Sequence, residues 1–338
     1  MQTKLVVSSS PFLRDASVST RRLMGDVVIA LIPTALAAIW FFGAPALALM
    51  LVSVVFAVLS ELVYEKITHQ KTTIDDLSAV VTGLLLAFNL PANAPWWMAA
   101  IGSIIAIVLV KQMFGGIGQN FINPALAART ILMLSWAGLI AATALPAGGQ
   151  LFGLTTVPVD AVASATPLVS SSYSLWQLFI GDVPGMLGET CKLTLILGGV
   201  YLIVRKVIDW RIPVFFIATA FILFWIQTGV IYSVESGTDN ALYQILSGGL
   251  LLGAFFMATD YVTSPVSKWG KVVMGIGCAV ILLIRAYNNS YPEGCSFAIL
   301  FMNVLTPLID KWTMPRTFGA VKPAKAKKSE AKQGGAKA

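Results

Sequence analysis

A chain of 338 residues, 57% hydrophobic and only 12% charged, with mean hydropathy +0.80, carries more apolar surface than a water-soluble fold can bury. That excludes a secreted disulfide scaffold, a disordered chain and a nucleic-acid binder, and leaves an all-α integral membrane protein. The net charge of +7 does not restore nucleic acid as a partner, because Lys322, Lys325, Lys327, Lys328, Lys332 and Lys337 crowd the C-terminal tail and most other basic residues flank apolar runs.

In chain order, residues 1–23 form an N-terminal segment without the apolar core of a cleavable signal. Phe12 and Leu13 beside Arg14, Arg21 and Arg22 suit a membrane surface or a partner. About 20 apolar residues make a spanning helix. Five such runs fill 24–141, at 24–42, 45–64, 77–91, 96–114 and 121–141. A long connection follows over 142–186. Five more runs fill 187–312, at 187–206, 212–230, 243–259, 269–287 and 293–311. The third and eighth runs are short. The tail 313–338 is Lys-, Ala- and Gly-rich and is expected to be disordered.

Ten spans put both termini on one side. Basic residues gather at 19–22, 66–71, 205–211 and 268–271, which places that side in the cytoplasm. Only Arg129, Lys192 and Arg285 fall within helices or toward the other face. The connection 142–186 is then extracytoplasmic.

The chain also carries a faint internal repeat. VTGLLLAF at 81–88 resembles GGLLLGAF at 248–255, and Asn123-Pro124 opens the fifth run as Tyr291-Pro292 opens the tenth. The two matches share nearly one offset, which predicts two halves of five helices. Five is odd, so the second half is inverted. Inverted repeats with interrupted third elements place a site near the membrane midplane.

Polar groups in apolar runs carry the functional information. Arg129, in NPALAART, faces either a polar cofactor or a helix-end carboxylate such as Asp260 or Glu61. Gly115, Gly116 and Gly118, with Asn120, precede a helix for which Asn123 is the expected N-cap and Pro124 the first residue. Glycines there let backbone N–H groups approach a flat or anionic ligand, or simply make a tight turn. Asp260 and Thr263 line a cofactor or ion path, or cap helix ends. Glu293 suits the first turn of the tenth helix. His69, in a charged loop, reads as solvated. Cys191, Cys278 and Cys295 read as packed thiols, since three cannot ligate an iron–sulfur cluster alone. No phosphate-binding loop or dinucleotide fingerprint occurs, so NAD and ATP have no evident site. In the long connection, Thr166 precedes Pro167, which biases its backbone toward an extended form.

Long stretches of this chain are similar to the RnfD/NqrB family of membrane subunits, found in Rnf ion-translocating oxidoreductases and sodium-pumping NADH:quinone reductases. They are SSPFLRD, TGLLLAFNLP, GGIGQNFINPALAAR, FMATDYVTSP and YPEGCSFAILFMN, spread from Ser9 to about Trp312. The resemblance implies a ten-helix, urea-transporter-like fold with inverted five-helix halves. It also implies FMN joined through its phosphate to a threonine, within a motif D-x-x-[S/T]-G-A-T. Asp160, Ala165 and Thr166 match that motif; Ala163 and Ser164 depart from it. Thr166 is therefore the expected attachment site, with Asp160, Ser164 and Ala165 beside it. A non-covalent riboflavin within the bundle is also implied, and polarity nominates Gly118, Asn120, Arg129 and Asp260 for it. The function implied is electron relay between ferredoxin and NAD modules of a Na⁺- or H⁺-translocating complex in the bacterial inner membrane. Its partners would be the FMN-bearing subunit, the membrane iron–sulfur subunits and a flavin transferase. The alternative is a solute channel or transporter of the same fold.

Overall fold

In the computed structural model, residues 19–143, 146, 167, 173–231, 240–286 and 294–315 are described, and every regular element among them is helical. Helices α1 (Thr20–Phe42) and α2 (Ala44–Ile67) open the bundle. Then come α3 (Ser78–Phe88), α4 (Trp96–Ile104), α5 (Pro124–Ser135) and the short α6 (Ala137–Ala141). Helix α4 runs on through a π turn, Ile105–Lys111. A short α7 (Leu175–Ile180) precedes α8 (Lys192–Val204) and α9 (Arg211–Thr228). Next are α10 (Ala241–Leu246) and α11 (Leu250–Leu252), the latter continued by a second π turn, Gly253–Met257. Helices α12 (Lys268–Ala286) and α13 (Cys295–Thr313) complete the bundle.

The expected runs are therefore present, but three are interrupted. The third holds only the 11-residue α3, the fifth is split at Trp136, and the eighth is split at Ser247. Among the described residues, four helices are long and apolar enough to cross a bilayer: Thr20–Phe42, Ala44–Ile67, Trp96–Phe114 and Arg211–Thr228. Their faces invert the soluble pattern. On α2, Leu47, Leu51, Val55, Leu59 and Val63 point outward, while Ser53, Ala57, Glu61 and Glu65 are buried. In lipid, apolar surface outside costs nothing, and polar groups must find partners inside.

Helix α1 packs along α8, α2 against α3 and α4, and α9 against α12, which also contacts α13. Small residues set the closest approaches. A Cβ on Gly83 of α3 would lie 2.9 Å from the Val54 backbone of α2. At that crossing Ser53 Oγ donates to the Gly83 carbonyl at 2.7 Å, and Ser103 Oγ to the Ser53 carbonyl at 2.9 Å.

Non-helical backbone at depth is tolerated only where protein satisfies it. After α3, residues 88–91 run antiparallel to 186–188. Leu187 N donates to the Leu90 carbonyl at 3.0 Å and Gly188 N to the Phe88 carbonyl at 2.9 Å. Gly188 is required, because a Cβ there would meet Phe88 Cβ at 2.3 Å. Cys191, Cys278 and Cys295 are buried, and His69 is exposed, as the sequence suggested.

Candidate functional site

A half-open cleft lies at the end of the bundle that carries the basic connections 66–71 and 205–211, with about 90 Å³ of interior space. Its apolar walls include Val27 of α1, Val81 and Leu85 of α3, Leu202 of α8, and Phe255 and Phe256 of the second π turn. Its polar wall comprises Ser78, Thr82, Lys111, Asn120, Asn123, Thr259 and Asp260. Both π turns end on this cleft, one delivering Lys111 and the other the two phenylalanines. Such turns are unusual and recur at functional sites.

Local chemistry explains how the polar residues arrive. Asn123 caps α5, its Oδ1 accepting from the amides of Ala125 and Leu126 at 3.1 and 3.2 Å, with Pro124 at the first helical position. The capping side chain also donates through Nδ2 to the Met257 carbonyl at 3.3 Å, tying α5 to the second π turn. The glycine turn reaches Asn123 with positive φ at Gly115, Gly116 and Gly118. Asn120, 6% exposed, follows it, donates through Nδ2 to the Ile122 carbonyl at 3.1 Å and shares the cleft wall with Asp260. Asp260 accepts from the Thr263 hydroxyl at 3.3 Å.

Of the four bundle residues nominated from sequence, the structure brings Asn120 and Asp260 together. Gly118 lies on the exposed side of the turn, with nothing within 4 Å of where a Cβ would sit. Arg129 is elsewhere. It is 3% exposed, and its Nη1 donates to Ser296 Oγ at 2.5 Å while Nη2 lies 3.7 Å from Glu189 Oε1. Neither Asp260 nor Glu61 is its partner. Lys192, 2% exposed, bridges the carbonyls of Glu189 and Gly248, the latter at 2.8 Å.

Glu61 instead pairs with Lys111, Nζ to Oε1, at 2.6 Å, and both are almost wholly buried. Sequence reasoning missed this pair. Lys111 ends an apolar run, where a lysine reads as a topology signal; only Glu61 inside its run hinted at a buried partner.

Thr166, Asp160, Ser164 and Ala165 lie outside the described residues, as do Glu293, Tyr291 and Pro292. The residue after Thr166 is described: Pro167 is buried, and its carbonyl accepts from the Tyr243 hydroxyl at 3.2 Å. It borders a small second cavity with Leu178, Glu189, Thr190 and Lys192.

The chain matches the profile of the NQR2, RnfD, RnfE family over residues 6–319. It is 45% identical to the D-type subunit of the Na(+)-translocating ferredoxin:NAD(+) oxidoreductase complex of Acetobacterium woodii, over 97% of this chain and 99% of that protein. It is 40% identical to the D-type subunit of the proton-translocating ferredoxin:NAD(+) oxidoreductase complex of Clostridium ljungdahlii, over 93% and 96%. The D-type subunit of the ion-translocating oxidoreductase complex of Escherichia coli is 33% identical, over 93% and 98%.

Proposed function

The chain belongs to the NQR2, RnfD, RnfE family, and from that premise we propose that it is the D-type membrane subunit of an ion-translocating ferredoxin:NAD⁺ oxidoreductase. The observation that carries this reading is end-to-end similarity: two relatives of that name align over more than nine-tenths of both chains. One subunit without a nucleotide or cluster motif completes no reaction alone. It works with the FMN-bearing subunit and the membrane iron–sulfur subunits, in the bacterial inner membrane.

The reading includes ten spans in two inverted halves, urea-transporter-like, with both termini cytoplasmic. It is supported by the paired interruptions at α3 and at α10–α11, and by the contact of the first helix of each half, α1 with α8. It also includes two flavins. FMN is esterified to Thr166 by a flavin transferase on the outer side, beside the Tyr243–Pro167 anchor. Riboflavin occupies the cleft at the cytoplasmic end.

The cleft residues fit such a ring. Leu85, Phe255 and Phe256 offer flat apolar contact, and Asn120, Asp260 and Thr259 offer donors and acceptors for a heterocyclic edge. A bound flavin supplies one- and two-electron transfer, which links clusters to a hydride acceptor. The chain's residues would position it: Leu85, Phe255 and Phe256 would pack against the ring, and Asn120 and Asp260 would hold its polar edge.

Denatured, fully matured protein is expected to show flavin fluorescence on its gel band, and Thr166→Ala to abolish it. Wild-type protein without the signal, or full signal in the variant, removes the covalent assignment. A solute channel is the second reading, favoured by the half-open cleft and the non-helical backbone between α3 and α4. Solute uptake into liposomes by the flavin-free chain would decide for it.

A further inference from the structure

Two charged side chains line the cleft, Lys111 and Asp260. Asp260 accepts from the hydroxyl of Thr263, its neighbour in the same turn, at 3.3 Å. Lys111 is placed differently. Its ammonium donates to Glu61 Oε1 and to Ser78 Oγ, both at 2.6 Å, which uses two of its three N–H bonds. Ser78 lines the cleft as well, whereas Glu61 does not.

Glu61 is lopsided. Its Oε1 accepts from Lys111, from Gln112 Nε2 at 2.7 Å and from Thr73 Oγ1 at 3.5 Å, while its buried Oε2 meets no donor among the described residues. A closed structural ion pair would satisfy both oxygens. Here a buried carboxylate with one unpartnered oxygen is bonded to a cation whose side chain lines the cleft. Glu65, one turn on, is occupied by Thr73, which bonds it through both its amide and its hydroxyl. Asp76 is occupied by Ser78.

We infer that Lys111 is a positioning residue for charge in the cleft: its ammonium stabilises the negative charge that reduction places on a ring bound there, and Glu61, bonded to it, limits how strongly. The inference rests on the proposal that the cleft holds a flavin. A flavin ring taking up two electrons and one proton becomes one charge more negative, and the electrons come from the complex's own donor side. A fixed cation at the wall favours that state, and a carboxylate bonded to the cation weakens the effect. Removing one partner or the other therefore moves the redox equilibrium in opposite directions, which a merely structural pair would not do.

The test uses the full chain, expressed without the flavin transferase so that Thr166 stays bare and only non-covalent flavin remains. Flavin content is read by acid extraction, and the midpoint potential by dye-equilibrated spectral titration. Glu61→Gln is expected to raise the ratio of reduced to oxidised flavin about tenfold at fixed potential, an upward shift of about 30 mV for a two-electron couple. Lys111→Met is expected to lower it about tenfold. The double variant, which buries no lone charge and stays folded if Lys111→Met alone does not, is expected to lie about tenfold below Glu61→Gln, the step that Lys111 controls. Shifts of one sign in both single variants, equal potentials for Glu61→Gln and the double variant, or unchanged potentials in flavin-retaining protein overturn the inference while leaving the cleft reading intact. A wild-type chain with no extractable flavin overturns both.

Discussion

Arg129 shows how far a single charged side chain organises this bundle. It lies in the first turns of α5, yet its contacts are with Ser296, at the start of α13, and with Glu189, just ahead of α8. A guanidinium in lipid costs about 2.5–3.5 kcal/mol even on the lenient insertion scale, so its place in a buried polar network is a folding requirement. Arg129→Met takes a cation from beside a buried carboxylate, and such losses cost about 3–5 kcal/mol. The expected outcome is a large drop in thermal midpoint in detergent. Combining it with Glu189→Gln should restore much of the loss, because the second change removes the charge left behind. An equal drop in both variants would show that the packing of Arg129, and not its charge, is what matters.

Between elements, the contact of α9 with α12 is held at its basic end by Asp209. Its carboxylate accepts from the Arg211 amide at 3.1 Å, from the Arg211 guanidinium at 2.9 Å and from Lys271 Nζ at 3.0 Å. Burial acts to raise its pKa, but the Arg211 amide and the two cations outweigh it and bring the pKa below the ordinary 3.8. A carboxyl that ionises more readily when folded adds stability above its unfolded pKa and loses it as pH falls through the lower, folded value. Wild type should therefore exceed Asp209→Asn by about 1 kcal/mol or less near neutrality. The gap in melting temperature should close below about pH 4. A gap that is constant with pH would remove the charge from the explanation. This staple was legible only in part. The apolar runs, the short third and eighth elements, and the Asn123-Pro124 helix start could all be read from local pattern, because they depend on neighbours in sequence. The Lys271–Asp209, Arg129–Glu189 and Lys111–Glu61 pairs could not, because each joins residues far apart in the chain, and a lysine beside an apolar run looks the same whether it faces water or a carboxylate. The cleft fell between these cases: Asn120 and Asp260 were found by polarity, whereas Ser78 and Lys111 were passed over.

Across the molecule, the arrangement of charge predicts which surfaces face which compartment. His69 lies in the basic connection after α2, and Trp176, 69% exposed on α7, lies in the long connection between the halves. The native thiols are buried, so cysteines introduced at these positions can be labelled against a low background. A membrane-impermeant maleimide should modify Trp176→Cys in intact cells, and His69→Cys only after lysis. The reverse pattern would invert the orientation read from the lysines and arginines.

The antiparallel stitch between residues 88–91 and 186–188 carries a consequence for how the chain is made. While the ribosome has delivered only the first half, the carbonyls of Phe88 and Leu90 have been threaded into the membrane region ahead of the amides that close them, which emerge only with Gly188 and Leu187. Until then, the newborn segment must keep those carbonyls in contact with water or the insertion machinery. A polypeptide stopped at residue 141 thus lacks the segment 186–188 that pairs with these carbonyls, and its assembly waits on synthesis of that segment.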